Sequence, residues 1–506
     1  MGTKNYNNYS DMITFSRASS GTALAKISYG PELVTNGTFD TDFSGWTVIG
    51  QQPSVVNSQL RLTTSSVNVG VSQNVGLQAG KMYLASYDII SITGGSMRLA
   101  LGSAANGTNR TAPGSYSEFL YVSGDAVARL YQVTSFSAEV IVVDNISIKE
   151  VLYDQPDGTL QLFNHPTNQP RVEYDYQGNR LGLLVEEART NEFSYSQQFN
   201  TGWSISNCAE EQNATIAPDG TLSASKATPN GNFGDHGFYK IFTSGVDRVA
   251  SIFAKQASGA YKLAIAPSGS NSGPIFNLQT GEIDSNVTPA TATITPVGNG
   301  WYRCTVTVDS TSTYAKFYIV NSNNAWSYSG DGTSGIYMWG AQLEAGSFPT
   351  SYIPTAGSTV TRAADVASIG VGAFGYNKTA GTVLITARLK EDPSVLQVPV
   401  FLGDNPSTTH INSMLFFSTG AYRVRDASST ELANLDVGDF STSTHTKASF
   451  VYKTNDFAAA IDGGTVGTDS TGDVSAVTVN TLSLSSNPSG TKLAHYISSI
   501  AYYPAG

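Results

Sequence analysis

Two adjacent carboxylates are the first groups in this 506-residue chain that could do chemistry. Glu186 and Glu187 stand side by side, and a glycosidase needs two carboxylates that flank one glycosidic bond. The surrounding segment has the pattern of an extended strand, in which neighbouring side chains point to opposite faces. The two groups therefore cannot serve one bond, and we expect either an arginine clamp from Arg189 or a solvated strand edge.

The sequence offers little for nucleophilic or transition-metal chemistry. It contains no Gly-x-Ser-x-Gly motif, the strained turn that presents the serine of many hydrolases. No histidine has a second ligand at the spacing of a zinc site. The histidines are His165, His236, His410, His445 and His495. We predict no catalytic residues, and we expect that the chain is not an enzyme.

A polar, turn-rich stretch offers the best candidate for a ligand-contact surface. It places Trp326 and Tyr328 beside Asn324 and Asp331. Aromatic rings stack on the C–H faces of sugars, while amides and carboxylates bond to hydroxyl groups. The alternative is that the stretch from Tyr328 onward only shapes the turn before the next strand.

Charge and composition restrict the partners. Charged residues make up 13% of the chain, and the formal net charge is -11. Nucleic-acid binding depends on clusters of Lys and Arg, and this sequence does not cluster its Lys and Arg residues. Residues 1–9 lack the apolar core of a secretory signal, and no apolar run is long enough to span a bilayer. We expect no nucleic-acid partner, no membrane insertion and no export.

The two cysteines are expected to be reduced. Without export, the chain meets a reducing cytosol, which disfavours a disulfide between Cys208 and Cys304. Cys304 shares a strand face with Val306 and Val308, which favours a buried free thiol there.

Apolar residues alternate with polar ones over most of the chain, as in half-buried strands. Tyr83, Ala85, Tyr87 and Ile89 occupy alternate positions of one such run, and Gly, Asn and Asp clusters separate the runs. Amphipathic helical patterns are nearly absent. The sequence therefore predicts an all-β fold of three tandem antiparallel β-sandwiches, of jelly-roll or concanavalin-A-like type, with an extended N-terminal arm.

An internal echo marks two of these modules. Phe39 and Trp46 near the start correspond to Phe193 and Trp203 later in the chain, and both openings run on to similar closing strands at 143–150 and 336–344. First and last strands commonly pair in a jelly roll. We predict that Trp46, Trp203 and Trp339 anchor the cores.

Three resemblances cover nearly the whole chain. The first module resembles carbohydrate-binding jelly rolls of the family 4/9 type, through Asn36-Gly37-Thr38-Phe39-Asp40, Gly45-Trp46 and Asp144-Asn145-Ile146-Ser147-Ile148. The second resembles a module frequent in phage structural proteins, through residues 182–191, 339–344 and 351–355. Residues from about 365 onward resemble laminin-G/concanavalin-A-like sandwiches. In such phage proteins the opening seen at residues 15–21 runs on toward the segment at 182–191, so the first module looks inserted.

The resemblance to carbohydrate-binding jelly rolls implies one cofactor. Such modules often hold a structural calcium ion near their opening and closing strands, and Asp40 and Asp144 are the local candidates. The alternative is that Asp40 begins a turn and Asp144 caps a strand end. A calcium loop of the EF-hand type is excluded, because its twelfth position is Gln51 rather than Glu.

The expected organisation has five parts. They are an N-terminal docking arm at 1–30, an inserted jelly roll at 31–152, an extended connecting segment at 153–190, a second jelly roll at 191–356 and a laminin-G/concanavalin-A-like sandwich at 357–506.

The resemblances imply a structural protein on the virion surface of a tailed phage, assembled in the host cytoplasm. It would be a fibre or decoration of capsid or tail that binds host or environmental polysaccharide weakly and multivalently. The alternatives are a purely architectural clamp or cement protein, and a glycan depolymerase. Capsid or tail proteins are the expected partners, a homotrimer is the default by analogy, and deletion of residues 1–20 is expected to release the protein from particles.

Overall fold

In the computed structural model of the protein, nearly all of the regular secondary structure is β-strand. Strands account for 57% of the residues and helices for 2%. The structure describes residues 13–64, 68–134, 139–267, 271–285, 291–390, 399–403, 413–416, 421–484 and 494–504. The strands pair in several antiparallel sheets, so the predicted all-β class is confirmed.

The chain forms two compact units. The smaller unit is Lys26–Thr159, and the larger one combines Met1–Ala25 with Leu160–Gly506. The smaller unit encloses the predicted jelly roll at 31–152. The other predicted boundaries, and the division into three modules, stay predictions.

The smaller unit contains two sheets, named A and B. Sheet A has, in order of hydrogen-bonded neighbours, Gly114–Tyr121, Met82–Ile92, Glu139–Tyr153 and Gly21–Glu32, of which the last begins in the larger unit. On sheet A, Gln59–Thr64 also pairs with Glu139–Tyr153, and Ser54–Val56 pairs with Gln59–Thr64. Sheet B has Thr47–Ile49, Gly70–Asn74, Val127–Thr134, Ser96–Leu101 and Ala105–Asn106.

Alternation along the strands produces the core of this unit. Tyr83, Ala85, Tyr87 and Ile89 are buried on the inner face of sheet A, as predicted. They pack in one apolar cluster with side chains of sheet B such as Leu130.

The larger unit contains a first pair of sheets, C and D. Sheet C has Ser204–Ser206, Phe233–Ile241, Tyr314–Val320, Lys262–Ala266, Ile275–Asn277 and Glu282–Ser285, with Ser327–Ser329 also paired to Phe233–Ile241. Sheet D has Cys208–Ile216, Leu222–Pro229, Gly335–Ala345, Arg248–Ser258, Trp301–Val308 and Ala292–Gly298. One apolar cluster takes side chains from both sheets, among them Phe238, Phe317 and Val306.

A second pair of sheets, E and F, contains both ends of the described chain. Sheet E has Thr14–Ser16, Val366–Gly370, Thr481–Ser483, Val400–Gly403, Ser413–Phe416, Ala421–Arg425 and Glu431–Asp436. Sheet F has Arg171–Tyr174, Arg180–Glu186, Ala494–Pro504, Ala380–Leu389, Thr446–Lys453, Phe457–Ile461 and Gly467–Asp469. The remaining elements are strand Thr159–His165, the strand pair Arg189–Asn191 and Val360–Arg362, helix Val371–Phe374 and the 3-10 turn Val474–Ala476. A third apolar cluster joins sheets E and F.

The N-terminal part of the described chain belongs to these sheets. Strand Thr14–Ser16 pairs with Val366–Gly370, and Phe15 packs against the core of sheets E and F. Residues 13–30 therefore do not form a free docking arm, contrary to the prediction for 1–30. Any such arm has to be sought in residues 1–12, which lie outside the described residues.

The predicted core anchors are confirmed. The side chains of Trp46, Trp203 and Trp339 are all buried, and the Trp339 indole N–H donates to Ser223 Oγ at 3.0 Å.

Candidate functional site

The larger unit contains a buried group of charged side chains. Six side chains form what we call the buried ion cluster, and they come from strands and strand ends that are distant in sequence. Its members are Arg17, Arg171, Glu186, Arg362, Asp365 and Lys390.

Asp365 lies at the centre of the buried ion cluster. Its carboxylate accepts hydrogen bonds from the guanidinium groups of Arg17 (3.1 Å) and Arg171. It also accepts the backbone N–H of Glu186 at 2.8 Å. The side chains of Arg17, Arg171 and Asp365 have no exposed area, so each charge depends on the others in place of water.

Glu186 is the second carboxylate of the cluster. It accepts from Lys390 Nζ at 2.8 Å, from Ser351 Oγ at 2.6 Å and from Ser351 N at 3.0 Å, and it lies 3.0 Å from Arg171 Nη1. Burial alone would favour the neutral acid, but Lys390, Arg362 and Arg171 hold the pKa of Glu186 well below its usual range. Glu186 is therefore an ionised structural group and has no proton to donate near neutral pH.

The other N–H groups of the Arg17 guanidinium donate to backbone carbonyls. It donates to Ser19 O at 2.8 Å, to Gln169 O at 3.2 Å and to Pro166 O at 2.9 Å. Burial, and then the neighbouring charge of Arg171, lower its pKa to about 10, so it remains cationic at neutral pH. The cluster thus ties the first described strand to segments more than 140 residues away in sequence.

Glu186 and Glu187, the adjacent carboxylates of the sequence analysis, have separate roles. Glu186 belongs to the buried ion cluster, whereas Glu187 accepts from Arg189 Nε. The Arg189 guanidinium also lies 5.0 Å from the Phe348 ring. Of the two expectations for this segment, the arginine clamp is found at Glu187, and the solvated edge is wrong for Glu186.

The neighbouring motif residues also hold the fold together. Asn191 Nδ2 donates to Ala341 O and Ile353 O, and its Oδ1 accepts from Phe193 N and Leu343 N. All four hydrogen-bonding positions of this buried amide are thereby filled. The motif that resembles phage structural proteins is thus a set of buried structural contacts.

Trp326 is the aromatic residue of the predicted ligand-contact stretch that keeps an accessible ring. Its half-buried ring packs on Ala264, Ile275 and Val320, and it meets the Tyr318 ring edge-on at 6.2 Å. Ala264 and Val320 alternate along their strands with the core residues Leu263 and Ile319. Trp326 therefore lies on the outer face of sheet C.

Tyr328 does not join Trp326 in an exposed platform. Only 8% of its surface is exposed. Its ring lies 4.4 Å from His236 and 5.7 Å from Tyr261, and its hydroxyl donates to Ile319 O at 2.9 Å. Strand pairing with Phe233–Ile241 draws this side chain inward, so the turn-shaping alternative describes Tyr328 correctly.

Asn324 lies in a polar cluster beside Trp326. Its Oδ1 accepts from Lys262 Nζ at 2.8 Å, and Lys262 also pairs with Asp284. Asn277 Nδ2 donates to the same carboxylate at 3.3 Å. An amide, an ammonium group and a carboxylate thus lie next to a half-buried indole, which is the chemistry that recognises sugar hydroxyls.

Asp331 acts on its own turn. Its Oδ1 accepts from Thr333 N at 2.8 Å and Ser334 N at 2.7 Å. These bonds lower the pKa of Asp331 to about 2. The carboxylate shapes the loop before strand Gly335–Ala345, and no contact joins it to the group around Asn324.

The sequence prediction did not identify other side chains on the outer face of sheet C. Tyr239 pairs with Lys316, and Tyr318 pairs with Gly237 and Ala264, so these side chains share the face of Trp326. Burial, and then the Asp235 carboxylate, raise the pKa of Tyr318. Period-two alternation around Phe238 and Phe317 was the signal that could have identified them.

The structure brings Asp144 near two other carboxylates. Burial raises the pKa of Asp144, and the charges of Asp88 and Asp40 raise it further. Asp40 accepts from Thr38 Oγ1 at 3.1 Å, and Asp144 accepts from Asn145 N at 2.8 Å. Within the described ranges, no three His, Cys, Asp or Glu side chains are arranged to hold a metal ion. Calcium binding by Asp40 and Asp144 stays a prediction.

The cysteines and histidines are the remaining groups that the sequence singled out. Cys208 and Cys304 are both free, and Cys304 is buried, as predicted. His165, His236 and His495 are buried in the larger unit, whereas His410 lies outside the described residues.

Compared with protein-family models and with curated proteins, the sequence matches none of them. In the described part of the chain, no helix has the length and apolar character needed to cross a membrane. Any function must therefore be inferred from the residues themselves.

Proposed function

We propose that the protein is a virion structural protein of a tailed phage, a fibre or decoration that binds saccharide through the outer face of sheet C. The observation that carries the binding part is the half-buried Trp326 beside Asn324, Lys262 and Asp284. The indole supplies a flat apolar surface for a sugar ring, and the polar groups match its hydroxyls. The virion assignment rests on the sequence resemblances and is the wider part of the proposal.

A shallow site of this kind suits weak, repeated contacts. One aromatic ring and a few polar groups give modest affinity for a single sugar, but many copies on one particle raise the overall avidity by orders of magnitude. The buried ion cluster suits the same role, because it joins segments of the larger unit that are far apart in sequence.

Replacing Trp326 by Ala is expected to reduce binding to a glycan array by at least about tenfold, since the stacking surface is lost. The matched control is Tyr176→Ala, which removes an aromatic ring that is 47% exposed in a turn elsewhere in the larger unit. Unchanged glycan binding by a folded Trp326→Ala protein would discard the platform.

Deletion of residues 2–12 tests the virion assignment. We expect the shortened protein to fold normally but to be lost from purified particles, because residues 1–12 precede the strand that enters sheet E. A deletion that reached residue 20 would also remove Arg17 and could not separate docking from folding. Full retention of the shortened protein on particles would contradict a docking role for these residues.

A further inference from the structure

The outer face of sheet B, in the smaller unit, has a second arrangement of groups that suits a ligand. Val71, Leu99 and Leu130 point into the core. The intervening residues Arg98 and Tyr131, which are paired across the sheet, therefore point outward. This face lies in a different unit from Trp326, and its chemistry differs.

Several positions of this face that are paired with its large side chains carry small residues. Gly70 pairs with Tyr131, and Ala100 and Ser72 both pair with Arg129. A Cβ atom at Gly70 would collide with Leu130 O and with Tyr131, so the position cannot hold a larger residue. One tyrosine and two arginines are therefore the large side chains of this row, and their neighbours across the sheet are small.

Tyr131 holds the Arg98 guanidinium in one orientation. Arg98 Nε donates to the Tyr131 hydroxyl at 2.8 Å, Arg98 Nη2 donates to the same oxygen, and Arg98 Cζ lies 5.1 Å from the ring centroid. The hydroxyl in turn donates to Asn106 Oδ1 at 3.4 Å. The guanidinium is thus positioned in advance, which lowers the entropy cost of binding a ligand.

Arg98 differs from its neighbour Arg129 in the partners of its guanidinium group. Arg129 donates to both oxygens of Asp125, at 3.1 and 2.9 Å, and to Gly102 O at 2.9 Å. Arg98 has no carboxylate within 4.0 Å among the residues that the structure describes, and its Nη1 donates to none of them. A positive, oriented donor therefore remains open on a chain whose formal net charge is -11.

We propose that Arg98, held in position by Tyr131, binds the carboxylate of an acidic saccharide, such as a uronic-acid unit, through the N–H groups that Tyr131 leaves open. A guanidinium fork matches a carboxylate through two parallel N–H···O bonds. Asn106, Thr47 and Ser72 lie on the same face and offer amide and hydroxyl groups to the sugar ring. A bare inorganic anion would need the arginine but would gain nothing from these neighbours.

The test uses the full-length chain with the Trp326→Ala change, so that binding at sheet C does not contribute. The probe is a defined oligogalacturonate, measured by calorimetry against its fully methyl-esterified form. We expect the acid to bind and the ester to bind at least about tenfold more weakly, because esterification removes the charge that Arg98 recognises.

Variants at the site then assign the residues. Arg98→Gln is expected to weaken oligogalacturonate binding at least about tenfold, and Tyr131→Phe to weaken it less, since the ring remains and only the orienting hydroxyl is lost. Arg61→Gln is the matched control, because it removes the same charge from an exposed strand position on sheet A. Only variants whose thermal stability equals that of the parent protein are compared.

Three results would overturn the proposal. They are equal affinity for acid and ester, full binding by a folded Arg98→Gln protein, and displacement of the oligogalacturonate by inorganic phosphate at equal concentration. The first two remove the role of the carboxylate and of Arg98, and the third would identify a general anion site. Because Trp326 is absent throughout, none of these results depends on the platform at sheet C.

Discussion

Asp365→Asn is expected to lower the free energy of unfolding of the larger unit by about 3–5 kcal/mol, the cost of leaving buried charges without their partner. The substitution keeps the shape of the side chain but removes the negative charge that faces Arg17 and Arg171. Both guanidinium groups lack solvent exposure, so water cannot replace the lost charge. Urea denaturation, followed by tryptophan fluorescence, measures the change.

The matched control for Asp365 is Asp456→Asn, which breaks an ion pair with Lys453 whose side chains are 60% and 62% exposed. Exposed pairs contribute about 0–1 kcal/mol, so this variant should unfold close to the parent protein. If both substitutions had equally small effects, the buried ion cluster would not be what fastens the larger unit.

The general fold could be predicted because it depends on local pattern. Alternation along Met82–Ile92 and Thr446–Lys453 is visible within each strand, and it determines which side chains enter a core. The short Gly, Asn and Asp turns likewise predict antiparallel neighbours. None of these inferences needs to know which distant strand will pair with which.

The buried ion cluster could not be predicted, because its partners are far apart in sequence. Arg17 and Asp365 are separated by 348 positions, and Arg171 and Asp365 by 194. Long-range pairing likewise places Thr14–Ser16, part of the predicted N-terminal arm, in sheet E. Strand Thr14–Ser16 has no strong pattern of its own, and its partner Val366–Gly370 is far from it in sequence.

The candidate saccharide site was predicted only in part. Trp326 and Asn324 were recognised from a polar loop, which is a local signal. Lys262 and Asp284, which complete the polar cluster, come from two other strands of sheet C. The sequence left Tyr328 between ligand contact and turn shaping, because a loop sequence does not reveal that a short strand such as Ser327–Ser329 turns every second side chain inward.

Stability of the larger unit is also expected to fall as the pH is lowered from about 6.5 to 4, and His495 is a main cause. Its Nε2 lies 3.0 Å from Leu484 O, so this nitrogen carries the proton and donates. Its Nδ1 is buried without a hydrogen-bond partner within the described ranges. Protonation there would bury an uncompensated charge, and burial accordingly lowers the pKa of His495 to about 4.

The sign of the effect depends on whether the folded or the unfolded chain binds the proton at the higher pH. In the unfolded chain His495 takes up a proton near pH 6.5, whereas in the folded chain it does so only near pH 4, so acid favours unfolding between these values. A difference of this size corresponds to about 3 kcal/mol. Burial, with the nearby charges of Arg171 and Arg17, also lowers the pKa of His165 and adds to the same trend.

The variant His495→Gln isolates this contribution, because the Gln side chain can still donate to Leu484 O but cannot titrate. Urea denaturation at several pH values between 7.5 and 4 should show a shallower loss of stability for the variant than for the parent protein. The smaller unit is an internal control, since residues 26–159 contain no histidine. Parallel pH profiles for parent and variant would show that protonation of His495 does not drive the acid sensitivity, and the charge balance of the buried ion cluster would then have to account for it.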